Sequence, residues 1–320
     1  MRRAAVLLLL LLSVTESVWA ADKANSPRIL GVARMSYYVS DLGKARSYYE
    51  DFLGFQEAFS VKAPDGADAV FVKINDGQFI ELIAEPPKNH GFLYGIGFET
   101  NDARGMRTHL ASLGIKVPDN VSKDQSGDLS LEIADPFGFT IQIIQYQPGS
   151  KTARTRGKFM PDSRISTHID HVGLLIGDRD EAAKFYGDAF GFVREGDGTK
   201  MKIADSPDRF ELGFERKSAT IDRYHVKDHI CLSVPDVPAV TSMLSAKPAA
   251  KGFREIENHQ LGNGKHVAEL YDLDGNRVEL MEPPKTGESA ATEGSETSPG
   301  KEIGSPSDHS ATAARKSKSH

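Results

Sequence analysis

Along Ile169–Ile176 the chain alternates so that Val172, Leu174 and Ile176 form one aliphatic face, while His171, Gly173 and Leu175 form the other. The pattern predicts a strand whose aliphatic face packs under a helix, which leaves His171 pointing at whatever the opposite face encloses. Asp178 and Asp180 have N-cap character, and Ala182, Ala183, Phe185, Tyr186, Ala189 and Phe190 then recur at helical spacing until Gly191 stops the run.

The same strand, helix and Gly-Phe ending occurs earlier. Residues 32–55 align on residues 169–192 without a gap, with Asp41, Ala45, Tyr49, Asp51, Gly54 and Phe55 on Asp178, Ala182, Tyr186, Asp188, Gly191 and Phe192. Strand-like runs follow at 69–74 and 78–84, the latter matched by 209–214 in the later half. A second unit starts at 95–98, continues through a helix around 106–113, and closes with the turn Asp135-Pro136-Phe137-Gly138 and a strand at 140–146. Its counterpart runs from 229–234 through a helix around 240–244 to Tyr271-Asp272-Leu273-Asp274-Gly275 and a strand at 277–281. Four units of one kind, two per half, describe the chain, and a repeat of this sort constrains the fold before any other feature.

The ends and the middle read differently. Residues 1–20 have a signal-peptide layout, with Arg2 and Arg3, an apolar run from 4 to 12, and small residues around Ala20. That run is too short for a membrane span and no later segment is apolar for 18 residues, so the mature protein is expected to be exported, periplasmic or extracellular. Residues 148–166 are polar and basic and are expected to form an exposed linker, and residues 284–320 have almost nothing to bury and are expected to be disordered.

A net charge of −6 argues against a nucleic-acid partner. The single cysteine, Cys231, excludes an intrachain disulfide and sits in an apolar run, as a buried structural thiol would. The expected partner is a small-molecule substrate, with no membrane contact after cleavage of the leader; the chain is compatible with a homodimer.

Placed in their units, His171 and His229 fall in first strands, and Glu211 and Glu279 fall in last strands, all on the face opposite the apolar one. Singly, each has a bland reading: a satisfied core histidine, or a glutamate on a solvated face. Carboxylates set mid-strand between apolar neighbours are costly to bury unless paired or bound to a cation, and two imidazoles with two carboxylates are a divalent-metal donor set.

On these residues, and most specifically on DHVGLLIGDRDEAAKFYGDAFGF and DLDGNRVEL, the chain resembles the vicinal oxygen chelate superfamily of glyoxalases, bleomycin-resistance proteins and extradiol dioxygenases. The resemblance covers residues 29–147 and 167–283. It implies an α+β fold of two tandem domains, each built from two βαβββ units forming an open curved mixed sheet with helices outside. It also implies one divalent metal (Fe2+, Zn2+, Ni2+ or Mn2+) in the second domain, held by His171, His229 and Glu279, with Glu211 as a fourth ligand.

In the first domain Arg34, Gly95 and Gln142 replace the ligands and only Glu81 matches, so no metal is expected there; Arg34 is expected to pair with Glu81. The resemblance implies extradiol-type ring cleavage or glyoxalase-type lyase or isomerase chemistry, with Glu211 or Glu269 as candidate acid or base. Glu269 occupies the register of a dioxygenase tyrosine, Tyr271 lies two residues away, and neither His259 nor His266 falls at the family's usual spacing. The competing expectation is a non-catalytic protein that sequesters a small molecule in aromatic cups, such as one lined by Tyr37, Tyr38, Phe71 and Phe79.

Overall fold

The computed structural model of this chain describes residues 27–63, 65–84, 93–196, 198–204, 206–214, 228–262 and 264–283. The leader and tail expected from the sequence lie outside them. Among the described residues no helix is long and apolar enough to cross a membrane.

The first half forms eight strands: β1 (Ile29–Val39), β2 (Gln56–Lys62), β3 (Asp68–Lys73), β4 (Phe79–Ala84), β5 (Leu93–Thr100), β6 (Ser122–Lys123), β7 (Leu129–Ala134) and β8 (Thr140–Gln145). They join in the order β2-β3-β4-β1-β5-β8-β7-β6. The second half repeats this with β9 (Ile169–Ile176), β10 (Val193–Glu195), β11 (Lys200–Lys202), β12 (Arg209–Phe214), β13 (His229–Ser233), β14 (Glu257–Gln260), β15 (His266–Tyr271) and β16 (Arg277–Met281), in the order β10-β11-β12-β9-β13-β16-β15-β14. The two βαβββ units of each half meet where β1 pairs antiparallel with β5 and β9 with β13, while β1/β4, β5/β8, β9/β12 and β13/β16 are parallel.

A helix leaves the end of each unit's first strand: α1 (Leu42–Arg46), α2 (Ala103–Ser112), α4 (Arg179–Phe190) and α5 (Val237–Ser245). Asp41, Asp102, Asp178 and Asp236 cap them, each accepting a backbone N–H in the first turn. Helix α1 widens into a π-type turn over Ser47–Phe52, where α4 stays regular up to Gly191, whose φ of 72° closes it.

Val172, Leu174 and Ile176 face this helical layer and are buried. One continuous apolar cluster contains residues of both halves: Phe98 of β5 touches Phe190, Phe192 and Phe210, and Phe253 meets Tyr48 and Phe52.

The halves also exchange polar contacts with internal symmetry. The side-chain oxygen of Gln78 accepts the Ile169 N–H at 2.8 Å, and Asp208 accepts the Val32 N–H at 2.7 Å. The strand registers make Gln78 the counterpart of Asp208, and the two touch at 3.3 Å. The repeat axis therefore passes between them.

The connection departs from the exposed strap that its basic composition predicts. Ser150 caps a short helix, α3 (Lys151–Arg154), and Thr152, Thr155, Ile165 and Ser166 are buried. The ammonium of Lys73, itself buried, donates to the Thr155 carbonyl at 2.5 Å, and the Gly157 N–H donates to Asp76 at 2.9 Å. Polar backbone in this segment finds partners along the first half, which composition cannot reveal.

Candidate metal centre

Strand pairing brings the four predicted donors to one place. Residues opposite each other across a sheet share a face, so the registers Cys231↔His171, Cys231↔Glu279 and Glu211↔Gly173 put His171, Glu211, His229 and Glu279 together inside the second sheet. The imidazoles of His171 and His229 face each other with Nε2 to Nε2 at 3.1 Å. Glu211 Oε2 stands 3.3 Å from His171 Nε2, and Glu279 Oε1 stands 3.8 Å from it.

His171, Glu211 and His229 offer donor atoms within 4.8 Å of one another, with both histidines buried. Donors about 2.1 Å from a shared cation stand roughly 3.0–3.4 Å apart at octahedral to tetrahedral angles. The His171–His229 and His171–Glu211 spacings fall on that edge length, while Glu279 at 3.8 Å stands slightly farther out, so His171, His229 and Glu211 fit a divalent ion with Glu279 beside them.

The surroundings orient the donors. Asp170 Oδ2 lies 2.8 Å from His171 Nδ1. A carboxylate there accepts a hydrogen bond from Nδ1–H and leaves Nε2 aimed at the centre, the usual support for a metal-bound imidazole. Burial by itself would raise the Asp170 pKa, but the hydrogen bond and charge of His171, with Lys200 and His168, pull it down to about 2. For His171 burial and Lys200 lower the pKa, yet Asp170 and Glu211 outweigh them and raise it. The metal-free centre therefore favours a proton on His171, and a cation would displace it.

Gly173 makes the arrangement sterically feasible. A Cβ at that position would lie 2.2 Å from His229 Cε1, so the ring occupies the space a side chain would take. Glu279 keeps one oxygen toward His171, while Arg277 donates to the other at 2.7 Å and to Glu269 at 2.8 Å. Tyr271 donates its hydroxyl to the remaining Glu269 oxygen at 2.5 Å. Glu269 is thus occupied by two donors, whereas Glu211, with Lys200 at 3.9 Å, has a side chain 25 % exposed to solvent. His259 lies 3.9 Å from Glu269 and His266 lies 3.5 Å from Glu282, both away from the histidine pair.

Asp170, Gly173, Lys200 and Arg277 were not singled out by the sequence reading. Asp170 has the wrong strand parity, and Gly173 matters only because of a ring arriving from another strand. The Asp-His pair and the Gly two residues later were the available signals.

The first half carries the same positions with other residues. The Arg34 guanidinium Nε lies 3.0 Å from Gln142 Oε1 and 3.3 Å from Glu81. Arg34 and Glu81 pair, and a cation site is filled by a cationic side chain. Among the aromatic residues expected in this cup, Phe71 and Phe79 cluster on its side, but Tyr37 is buried in the main core, with its hydroxyl on the Met35 sulfur; Tyr38 alone of the tyrosine pair lines the cup. Tyr37 has the parity of Met35 and Val39, which also lie in the main core, opposite to that of Arg34 and Tyr38.

A model of the Glyoxalase/Bleomycin resistance protein/Dioxygenase superfamily matches residues 31–143 and again 168–280. The chain belongs to this superfamily. Its two repeats and their mixed sheets are the superfamily fold used twice.

Solved structures of similar fold include the 2,3-dioxygenase LapB from Pseudomonas sp. KL28, at 13 % identity, a TM-score of 0.61, and coverage of 82 % of this chain and 96 % of that one. The Mn(II)-bound glyoxalase from Novosphingobium aromaticivorans aligns at 14 % identity with a TM-score of 0.60, over 80 % of this chain and 83 % of that one. A variant of homoprotocatechuate 2,3-dioxygenase from B. fuscum aligns at 16 % identity with a TM-score of 0.60, over 82 % and 74 %. At these identities the likeness establishes the fold. No curated protein matches the chain.

Proposed function

We propose that the second half is a metal-dependent enzyme centre, in which His171, His229 and Glu211 hold one divalent ion and Glu279 completes the set. The observation that carries this reading is the pair of facing imidazole nitrogens 3.1 Å apart, with Glu211 at 3.3 Å from one of them. Two nitrogens and two carboxylate oxygens suit Fe2+, Zn2+, Ni2+ or Mn2+.

The substrate is a small molecule with two adjacent oxygens, and the ion when bound supplies Lewis-acid polarisation of a carbonyl or hydroxyl. The presence of Glu211 inside the donor cluster favours glyoxalase-like proton transfer over extradiol ring cleavage, because a fourth protein ligand occupies a position that a two-histidine, one-carboxylate face leaves open. Glu211 is also the acid or base of this reading, since its side chain is partly exposed to solvent, whereas Glu269 is held by Arg277 and Tyr271. Asp170 fixes the His171 tautomer, and Arg277 holds Glu279 in place. The signal-peptide layout of residues 1–20 supports an exported site for this chemistry.

Elemental analysis of the full-length protein, purified without added metal, tests the centre. About one equivalent of a transition metal is expected, falling to background in a His171→Ala, His229→Ala double variant that keeps the wild-type circular dichroism. Unchanged metal content in a folded double variant would overturn the assignment. Zinc, nickel or manganese supports the proton-transfer reading; iron together with oxygen uptake would replace it with ring cleavage.

A further inference from the structure

The first sheet encloses a cleft of about 630 Å3, within the range of small-molecule sites and away from the histidine pair. We infer that this cleft binds an organic cation, an ammonium group carried on an aromatic or compact apolar body.

The charges on its wall are unbalanced. Asp65, Glu81, Asp124 and Glu132 face two cations, Arg34 and Lys123. Arg34 is not available to an incoming anion: besides its contacts to Gln142 and Glu81 it lies 3.6 Å from Asp124, and its guanidinium lies 5.2 Å from the centre of the Phe71 ring. Its charge is consumed on the floor of the cleft by Glu81, which also accepts the Ser36 hydroxyl at 2.6 Å. Asp124 shares Arg34 with Glu81 and accepts from Ser126 and Asp128, so Asp65 and Glu132 remain on the walls against an exposed Lys123.

Beside those carboxylates stand aromatic faces. Tyr38 and Tyr94 meet edge to face with centroids 5.5 Å apart, and the Tyr94 hydroxyl donates to Glu132 at 2.7 Å. Gln142 donates to the same Glu132 oxygen at 2.9 Å, so the carboxylate is held in position against the tyrosines. Phe71, stacked on Phe59 at 4.5 Å, continues the apolar surface inward. Aromatic rings flanking a fixed carboxylate attract a cation through both the ring quadrupole and charge. The Tyr38 phenol reports the same field, since its pKa is raised first by burial and then by Asp65, Glu132 and Glu81. A metal ion is the wrong occupant, because Arg34, Gly95 and Gln142 stand where the second half has His171, His229 and Glu279.

Calorimetric titration of the full-length protein with benzyltrimethylammonium, benzyl alcohol and benzoate tests the inference. The ammonium is expected to bind with a dissociation constant below about 10 mM, benzyl alcohol at least about tenfold more weakly, and benzoate more weakly still. A Glu132→Gln, Asp65→Asn variant, near-isosteric at both sites, is expected to lose at least about tenfold in ammonium affinity. Raising salt from about 20 to about 300 mM is expected to weaken binding.

The His171→Ala, His229→Ala variant is expected to bind the ammonium normally, which separates this cleft from the proposed metal centre. Absence of ammonium binding up to about 10 mM, equal binding of benzoate, or an unchanged affinity in the folded carboxylate variant would each overturn the inference. So would loss of binding in the folded histidine variant.

Discussion

Tyr186 of helix α4 donates its hydroxyl to Asp135 at 2.8 Å, across the boundary between the halves. Its repeat counterpart Tyr49 reaches Asp272, the counterpart of Asp135, at 3.4 Å. Each half thus sends a buried phenol into the closing turn of the other, where the aspartate already accepts backbone N–H groups of its own turn. Replacing Tyr186 by Phe removes one buried hydrogen bond and leaves Asp135 one donor short, a loss of about 1 to 2 kcal/mol. The longer Tyr49 contact predicts a smaller loss for Tyr49→Phe. Urea unfolding midpoints of the two variants at neutral pH check the ranking.

Asp272 gives the fold a pH dependence of known sign. Burial, more than the nearby Asp274, raises its pKa from 3.8 to about 6 despite the hydrogen bonds from Asn276 and Asp274. Between those values the folded chain keeps a proton that the unfolded chain releases, so stability falls as pH rises through this window. The full effect is about 2 to 3 kcal/mol. Asp272→Asn is expected to flatten the slope between about pH 4 and about pH 6.5, as measured by the urea midpoint of the metal-free protein at each pH.

Gly173 is the steric condition for the proposed centre. Gly173→Ala puts a methyl group within 2.2 Å of His229 Cε1, and the ring must swing away from His171. Metal content after dialysis is expected to fall toward that of the double histidine variant, while far-ultraviolet circular dichroism stays that of the wild type. Full metal retention by a folded Gly173→Ala protein would count against His229 as a ligand.

Asp170 is argued to act through His171. Asp170→Asn removes the charge and keeps the shape, and metal affinity measured by competition with a chelator is expected to drop about 10- to 100-fold. Asp170→Glu is expected to recover part of it, since a carboxylate returns to the same nitrogen. A purely structural role would move the unfolding midpoint and leave the chelator competition unchanged.

Much of this arrangement was legible in the sequence because strand parity is a strict rule. His171 opposite Val172 and Glu279 opposite Leu280 could be assigned to the cup face without coordinates, and the repeat alignment placed Arg34, Glu81, Gln142 and Gly95 at the equivalent positions. The edge strands β2, β6, β10 and β14, and β7, β11 and β15 beside them, lie outside the strands expected from the sequence. The burial of Thr152, Thr155, Ile165 and Ser166 within the basic connection depends on a surface formed by distant strands, which composition does not show. Tyr37 obeys the same parity rule: it shares a face with Met35 and Val39 in the main core, while Arg34 and Tyr38 face the cup, so expecting both tyrosines in the cup overlooks that strand neighbours point opposite ways. Asp170 and Gly173 required a three-dimensional neighbour to acquire meaning.

The reciprocal contact of Gln78 with Ile169 and Asp208 with Val32 ties the opening strand of each half to the residue that precedes the fourth strand of the other. A segment that completes its neighbour's interior is needed by the fold even with Arg34, Gly95 and Gln142 at the positions of His171, His229 and Glu279. The first half is thereby kept in the chain as scaffold, and its cup is left at liberty to acquire a different guest.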